Sequence, residues 1–168
     1  MEQMLSCLAL AAVAAALIWA SVEDLRARTI PNACPLVVIA AWSARALSGA
    51  DANVRLVEGL WGLAAISTLL IVCDLVSKKL FGAEGVGGGD VKLLGSLGMW
   101  TGRIPGLFMV GASCLIAVLG LGTAAFVSRL KPKEGDGSWL RRGIPMAPAI
   151  AGGFFITLYA KAMMGDYT

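Results

Sequence analysis

Residues 87–94 read Gly87-Gly88-Gly89-Asp90-Val91-Lys92-Leu93-Leu94: three glycines and a carboxylate, then a lysine and the start of an apolar run. A second carboxylate, Asp24, lies in Ser21-Val22-Glu23-Asp24-Leu25-Arg26-Ala27-Arg28-Thr29-Ile30-Pro31-Asn32, just after the first long apolar stretch. An ionisable group at the edge of a hydrocarbon core is costly, so by default it marks a functional site. Two such groups on one side of a membrane point to acid–base chemistry on a peptide or to proton traffic.

The rest of the chain supplies that membrane. Its 168 residues are 58% hydrophobic and only 15% charged, well short of the quarter or so of charged residues in soluble domains. Stretches of about 20 apolar residues can cross a bilayer as helices, and candidates fall near 4–20, 33–49, 56–77, 91–102, 104–128 and 144–164. The expected fold is therefore an all-α, polytopic integral membrane protein. It forms one domain over 1–168 with about six transmembrane helices, and a Gly-rich loop precedes a short fourth helix. The fourth segment is either a short span or re-entrant, and six spans is the preferred count. Residues 4–20 resemble a secretory signal, but Glu2 without Lys or Arg ahead of them, and the later apolar stretches, favour a retained span.

The fourteen Lys and Arg residues set an orientation. Arg26 and Arg28 follow the first span, and Lys78, Lys79 and Lys92 follow the third. Arg129, Lys131, Lys133, Arg141 and Arg142 follow the fifth. The other side holds Arg45, Arg55, Arg103 and Lys161. The first, third and fifth loops are thus expected in the cytoplasm, with Asp24 and Asp90 both facing it. The hydrophilic segment 129–143 reads as an anchor on anionic lipid.

Composition also excludes functions. There is no histidine, and Cys7, Cys34, Cys73 and Cys114 are far apart and read as small buried hydrophobes. No zinc spacing is present, so neither a metal nor a cofactor is expected. No basic cluster is interleaved with aromatics, which gives nucleic-acid binding no support.

Locally, Gly85, Gly87, Gly88 and Gly89 allow positive φ and close backbone approach. Non-helical backbone at membrane depth is tolerated only in protein or beside a wet cavity, so this loop is expected to border one. Asp90 would then cap the fourth helix, and Pro31 would sit in the first turn of the second. Each aspartate alone has a bland explanation, a helix cap for Asp90 and a surface ion pair with Arg26 or Arg28 for Asp24. Paired carboxylates are also a peptidase device, because two held close cannot both ionise and so divide the roles of acid and base. Asp74, near the end of the third span, pairs most simply with Lys78 one turn on, or stands behind the catalytic cavity. Glu58, Glu23 and Glu84 are poorer candidates. Gly98-Met99-Trp100-Thr101-Gly102 fits close helix packing in lipid.

The pair of motifs resembles the prepilin peptidases, membrane aspartic peptidases named for Gly-x-Gly-Asp. Asp24 with Ile30-Pro31-Asn32 matches the first motif, Gly87-Gly88-Gly89-Asp90-Val91-Lys92-Leu93-Leu94 the second, and Ile144-Pro145-Met146-Ala147-Pro148-Ala149 the family's last-span segment. The resemblance implies catalytic Asp24 and Asp90, supported by Gly87, Gly88, Gly89 and Lys92. It also implies a prepilin or pseudopilin substrate, cut at the cytoplasmic face of a bacterial or archaeal membrane. The paired-cysteine motif and N-terminal extension of the bifunctional members are missing, which argues against methyl transfer and likens the chain to the compact tight-adherence (Flp) pilus peptidases. Two other classes stay open at this point: a small proton- or cation-coupled transporter using the same aspartates, and a structural subunit of a secretion complex.

Overall fold

The computed structural model describes residues 2–48, 51–82, 86–130 and 145–164, and among them the chain is helical with no strand. Six helices follow in order: α1 (Glu2–Ala27), α2 (Ala33–Leu47), α3 (Ala52–Phe81), α4 (Gly88–Thr101), α5 (Arg103–Leu130) and α6 (Ala147–Met164). The expected all-helical membrane fold is borne out. Segments Gln3–Ala27, Ala52–Leu80, Arg103–Thr123 and Ala147–Met164 are long and apolar enough to cross a bilayer. Only 22% to 33% of each spanning window is buried, so most of these surfaces are left for lipid.

Helix–helix contacts close a ring of five, α1–α2–α3–α5–α6 and back to α1, around α4. With 14 residues, α4 is only about 21 Å long, less than a hydrocarbon core of about 30 Å. A short helix is tolerable here because it is enclosed: every residue from Leu93 to Thr101 is buried. α2, with 15 residues, is similarly short.

Lipid tails are as apolar as leucine, so helices in a bilayer associate through packing and hydrogen bonds rather than through a hydrophobic driving force. Small residues provide that packing. Gly62 of α3 and Gly98 of α4 lie backbone to backbone, so a Cβ on Gly98 would meet the Gly62 carbonyl oxygen at 2.8 Å. This places Gly98 at a helix contact, as its spacing predicts. Trp100 Nε1 donates to the Val38 carbonyl at 3.2 Å, fastening α4 to α2.

Several boundaries differ from expectation. α1 runs on to Ala27, so Asp24 belongs to its last turns and not to a loop. Pro31 precedes α2, whose N-cap is Asn32, while Pro35 occupies its first turn. The break after the fourth segment is made by Gly102, whose φ of 81° reverses the chain, and Pro105 sits in the first turn of α5, where proline costs little. Cys7, Cys73 and Cys114 face outward on lipid-facing surfaces, and only Cys34 is buried. Among small apolar-tolerant residues on such surfaces, burial was never required. The 131–143 part of the hydrophilic segment lies outside the described residues.

Candidate active site

Asp24 is oriented by the stripe that carries it. Ala9, Val13, Ala16, Leu17 and Ala20 are the buried positions of α1, spaced three and four apart as one helix face requires. Asp24 continues that face and is itself only 7% exposed. Its turn is closed by the Arg28 amide, which donates to the Asp24 carbonyl at 3.1 Å, with Arg28 in the left-handed region at φ 57°. The Asp24 carboxylate accepts a hydrogen bond from the backbone amide of Ala147 at 2.8 Å. Ala147 opens α6, and the first amides of a helix lack intrahelical acceptors. A carboxylate there satisfies one of them and meets the positive end of the helix dipole.

Asp90 sits in the first turn of α4, not at its cap. The N-cap is Gly87, in an extended conformation at φ −64° and ψ 137°, and the Val91 amide closes the first turn on the Gly87 carbonyl at 3.1 Å. The helix therefore starts at Gly88, earlier than expected. Positive φ is absent from Gly87, Gly88 and Gly89, which corrects the conformational reason for those glycines. Space is the reason at two of them. A Cβ on Gly87 would come within 3.0 Å of the Asp90 carboxylate, and one on Gly89 within 3.1 Å of Ile30, whereas Gly88 faces open space. Gly85 lies outside the described residues.

The motif segments meet. Ile30 covers Gly89, and Lys92 Nζ donates to Asn32 Oδ1 at 3.1 Å, 60 residues away in sequence. Ala147 reaches Asp24 from the third segment. Among the described residues α1 and α4 do not pack on each other directly; α2 and α6 each pack against both, and so relate the helices that carry Asp24 and Asp90. Asp74 lies behind the glycine segment. Its Oδ2 pairs with Lys78 at 2.8 Å, and its Oδ1 accepts from the Val86 amide at 3.3 Å, so it fixes the residue just before the α4 cap.

Asp90 lies outside the four spanning segments, and its carboxyl is pushed up to about 6 from 3.8. Burial is the main cause, and the charge of Asp24 is the second. The direction follows because a desolvated carboxylate beside a second one favours its neutral form. The raised Asp90 carboxyl can carry a proton near pH 6 beside the charge of Asp24. Such a pair can remove a proton from water and return one to a leaving group.

Glu58 lies in the first turns of α3, 3.8 Å from Arg103 at the opposite end of the bundle, and Glu84 is outside the described residues. Two contacts were not foreseen from the sequence: that of the Ile30 side chain with Gly89 and that of the Ala147 amide with Asp24. Pro145 and Pro148 could have flagged the second, since proline marks a helix start and a helix start offers free amide donors.

No curated protein and no solved structure matches the chain. A family model does, over residues 11–122, and its description is the type IV leader peptidase family. The matched stretch contains both aspartates, the glycine segment and five of the helices in whole or part. With about two thirds of its length covered, the chain belongs to the type IV leader peptidase family.

Proposed function

We propose that Asp24 and Asp90 form an aspartic dyad that hydrolyses the bond joining a short basic leader to the apolar helix of a prepilin or pseudopilin, at the cytoplasmic face of the membrane. The observation that carries this reading is the meeting of the three motif segments around the two aspartates, where burial and the charge of Asp24 raise the Asp90 carboxyl. The ionised member takes a proton from the attacking water. The protonated member donates a hydrogen bond to the scissile carbonyl oxygen, and the proton taken from water passes to the amine nitrogen as the C–N bond breaks. Roles belong to the pair, not to either residue.

The largely unburied flanks of the spanning helices fit a lateral approach. A peptide bond inside a helix is shielded, so the substrate must be locally extended where the two carboxyls face it, and its apolar part then rests against the lipid-facing bundle. Cytoplasmic placement rests on the concentration of Lys and Arg in the loops on the aspartate side. The experiment is incubation of the purified enzyme in detergent with a candidate prepilin, following loss of the leader by mass. Cleavage by the native chain and none by Asp24→Asn or Asp90→Asn is the expected result. Cleavage by either variant at the native rate refutes the dyad.

A further inference from the structure

The end of the bundle opposite the aspartates contains a cavity of about 360 Å³. It lies where α2 ends, α3 begins and α4 turns into α5, and Thr101 in its wall is about 16 Å along α4 from Asp90. Arg45, Arg55, Arg103 and Lys161 all line it. These are the same four cations that the charge count assigns to the far side of the membrane, brought together from four helices.

Their surroundings hold them there. The Arg45 guanidinium lies over the Trp100 ring, 5.6 Å from its centroid, an arrangement that attracts a cation to the ring face. Lys161 Nζ donates to the Thr101 carbonyl at 3.3 Å, at the end of α4 that favours positive charge. Glu58 is the one carboxylate in the lining, and its contact with Arg103 is long, 3.8 Å, between side chains 59% and 57% exposed. Basic groups from four helices thus converge on one cavity whose walls include Trp42, Met99 and Trp100, and low-dielectric walls focus their field.

The basic lining suits an anion, and the donors say of which chemistry. Guanidinium forks match phosphate oxygens in bidentate fashion, and the volume falls within the range of small-ligand sites. The rim is apolar: Val54 and Ile104 line the cavity while 64% and 71% exposed. Val57 and Trp61 continue that surface along α3, and Phe108 continues it along α5. We propose that this cavity is a second binding site, which takes the phosphate headgroup of an anionic phospholipid and lays its acyl chains along the lipid-facing surfaces of α3 and α5. Free phosphate shares the headgroup chemistry, but has no use for the apolar rim.

Native mass spectrometry of the detergent-solubilised chain, titrated with phosphatidylglycerol or phosphatidylcholine, tests the site. Phosphatidylglycerol is expected to bind about tenfold tighter or more. The Arg55→Gln/Arg103→Gln double variant should lose most of that preference, whereas Arg26→Gln/Lys79→Gln, at the aspartate end, should keep it. Lys161→Gln alone gives a second reading should the double variant fail to fold. Equal affinity for the two lipids, or a preference undiminished in both cavity variants, overturns the site. Displacement of phosphatidylglycerol by millimolar inorganic phosphate overturns the lipid assignment in favour of a soluble phosphate, and persistence of the bound lipid supports it.

Discussion

The Ala147 amide donates to the Asp24 carboxylate at 2.8 Å across 123 residues of sequence. One carboxylate thus has two separable duties: a structural one as acceptor for the first turn of α6, and the proposed chemical one as half of an acid–base pair. Asparagine can perform the first and not the second, because its amide oxygen still accepts while its acidity is gone.

Asp24→Asn should therefore insert and melt close to the native chain while cleavage falls by about 10²–10⁴, the usual range for losing a positioned acid or base. Asp24→Ala should lose cleavage as well, and in addition about 1 kcal/mol of stability with the helix-start bond. Leader loss measured beside thermal melting in detergent separates the two effects. Active Asp24→Asn with destabilised Asp24→Ala would reduce Asp24 to a capping role.

Asp90 makes a prediction about pH. Its folded carboxyl sits at about 6 against 3.8 for an unperturbed group, so the folded state holds this proton more tightly than the unfolded one. Its contribution favours folding below 3.8 and is lost as pH rises through about 6. Asp90→Asn removes that loss. The variant should gain about 1–2 kcal/mol over the native chain at pH 7–8, after allowance for solvent screening of a partly exposed group, and much less at pH 4. Melting curves at the two pH values check the sign, and a native chain more stable at pH 8 than its variant would show it to be wrong.

The sequence reveals Asp24 and Asp90 because charge in an apolar chain is rare, and it reveals the long helices because about 20 apolar residues have few other homes in water. It also marks Gly98 as a packing position, through small-residue spacing. The end of α1 is harder to read: Arg26 and Arg28 look like a loop, yet the helix takes in Arg26 and ends only at Ala27 because the buried stripe continues to Asp24. The glycine segment is misread for a related reason. Glycine allows positive φ and close approach alike, and only the position of Ile30, fixed by tertiary packing, shows that Gly89 serves the second. The cavity of four cations is invisible for the same reason, since no spacing along the chain joins Arg45, Arg55, Arg103 and Lys161.

The reassigned role of Gly89 leads to a paired test. A Cβ at Gly89 meets Ile30 at 3.1 Å, while one at Gly88 meets nothing within 4 Å. Gly89→Val should push Ile30 and its loop away from α4 and lower cleavage at least about tenfold, for overpacking of this kind costs about 1–3 kcal/mol. Gly88→Val should stay within about threefold, its cost limited to helix propensity. Equal loss in both would show that conformational freedom, and not the contact with Ile30, is what this segment needs.

Asp74 offers the last test, since its two oxygens have different partners. Oδ2 pairs with Lys78 at 2.8 Å, and Oδ1 accepts from the Val86 amide at 3.3 Å. Lys78 is 46% exposed, and exposed i,i+4 pairs contribute only about 0.3–0.5 kcal/mol; Lys78→Met should leave cleavage within about twofold. The Val86 bond is different in kind. Val86 immediately precedes Gly87, the α4 cap, so releasing it loosens the entry to the helix that presents Asp90. A misplaced carboxylate lowers turnover more than it lowers binding, because geometry in the transition state is the more demanding. Asp74→Ala should therefore cut kcat about tenfold with KM less affected, and Asp74→Asn, which keeps an acceptor oxygen for Val86, should recover most of the rate. If Asp74→Asn is as impaired as Asp74→Ala, its charge matters and the tether does not. If both turn over at the native rate, Asp74 serves only the end of α3.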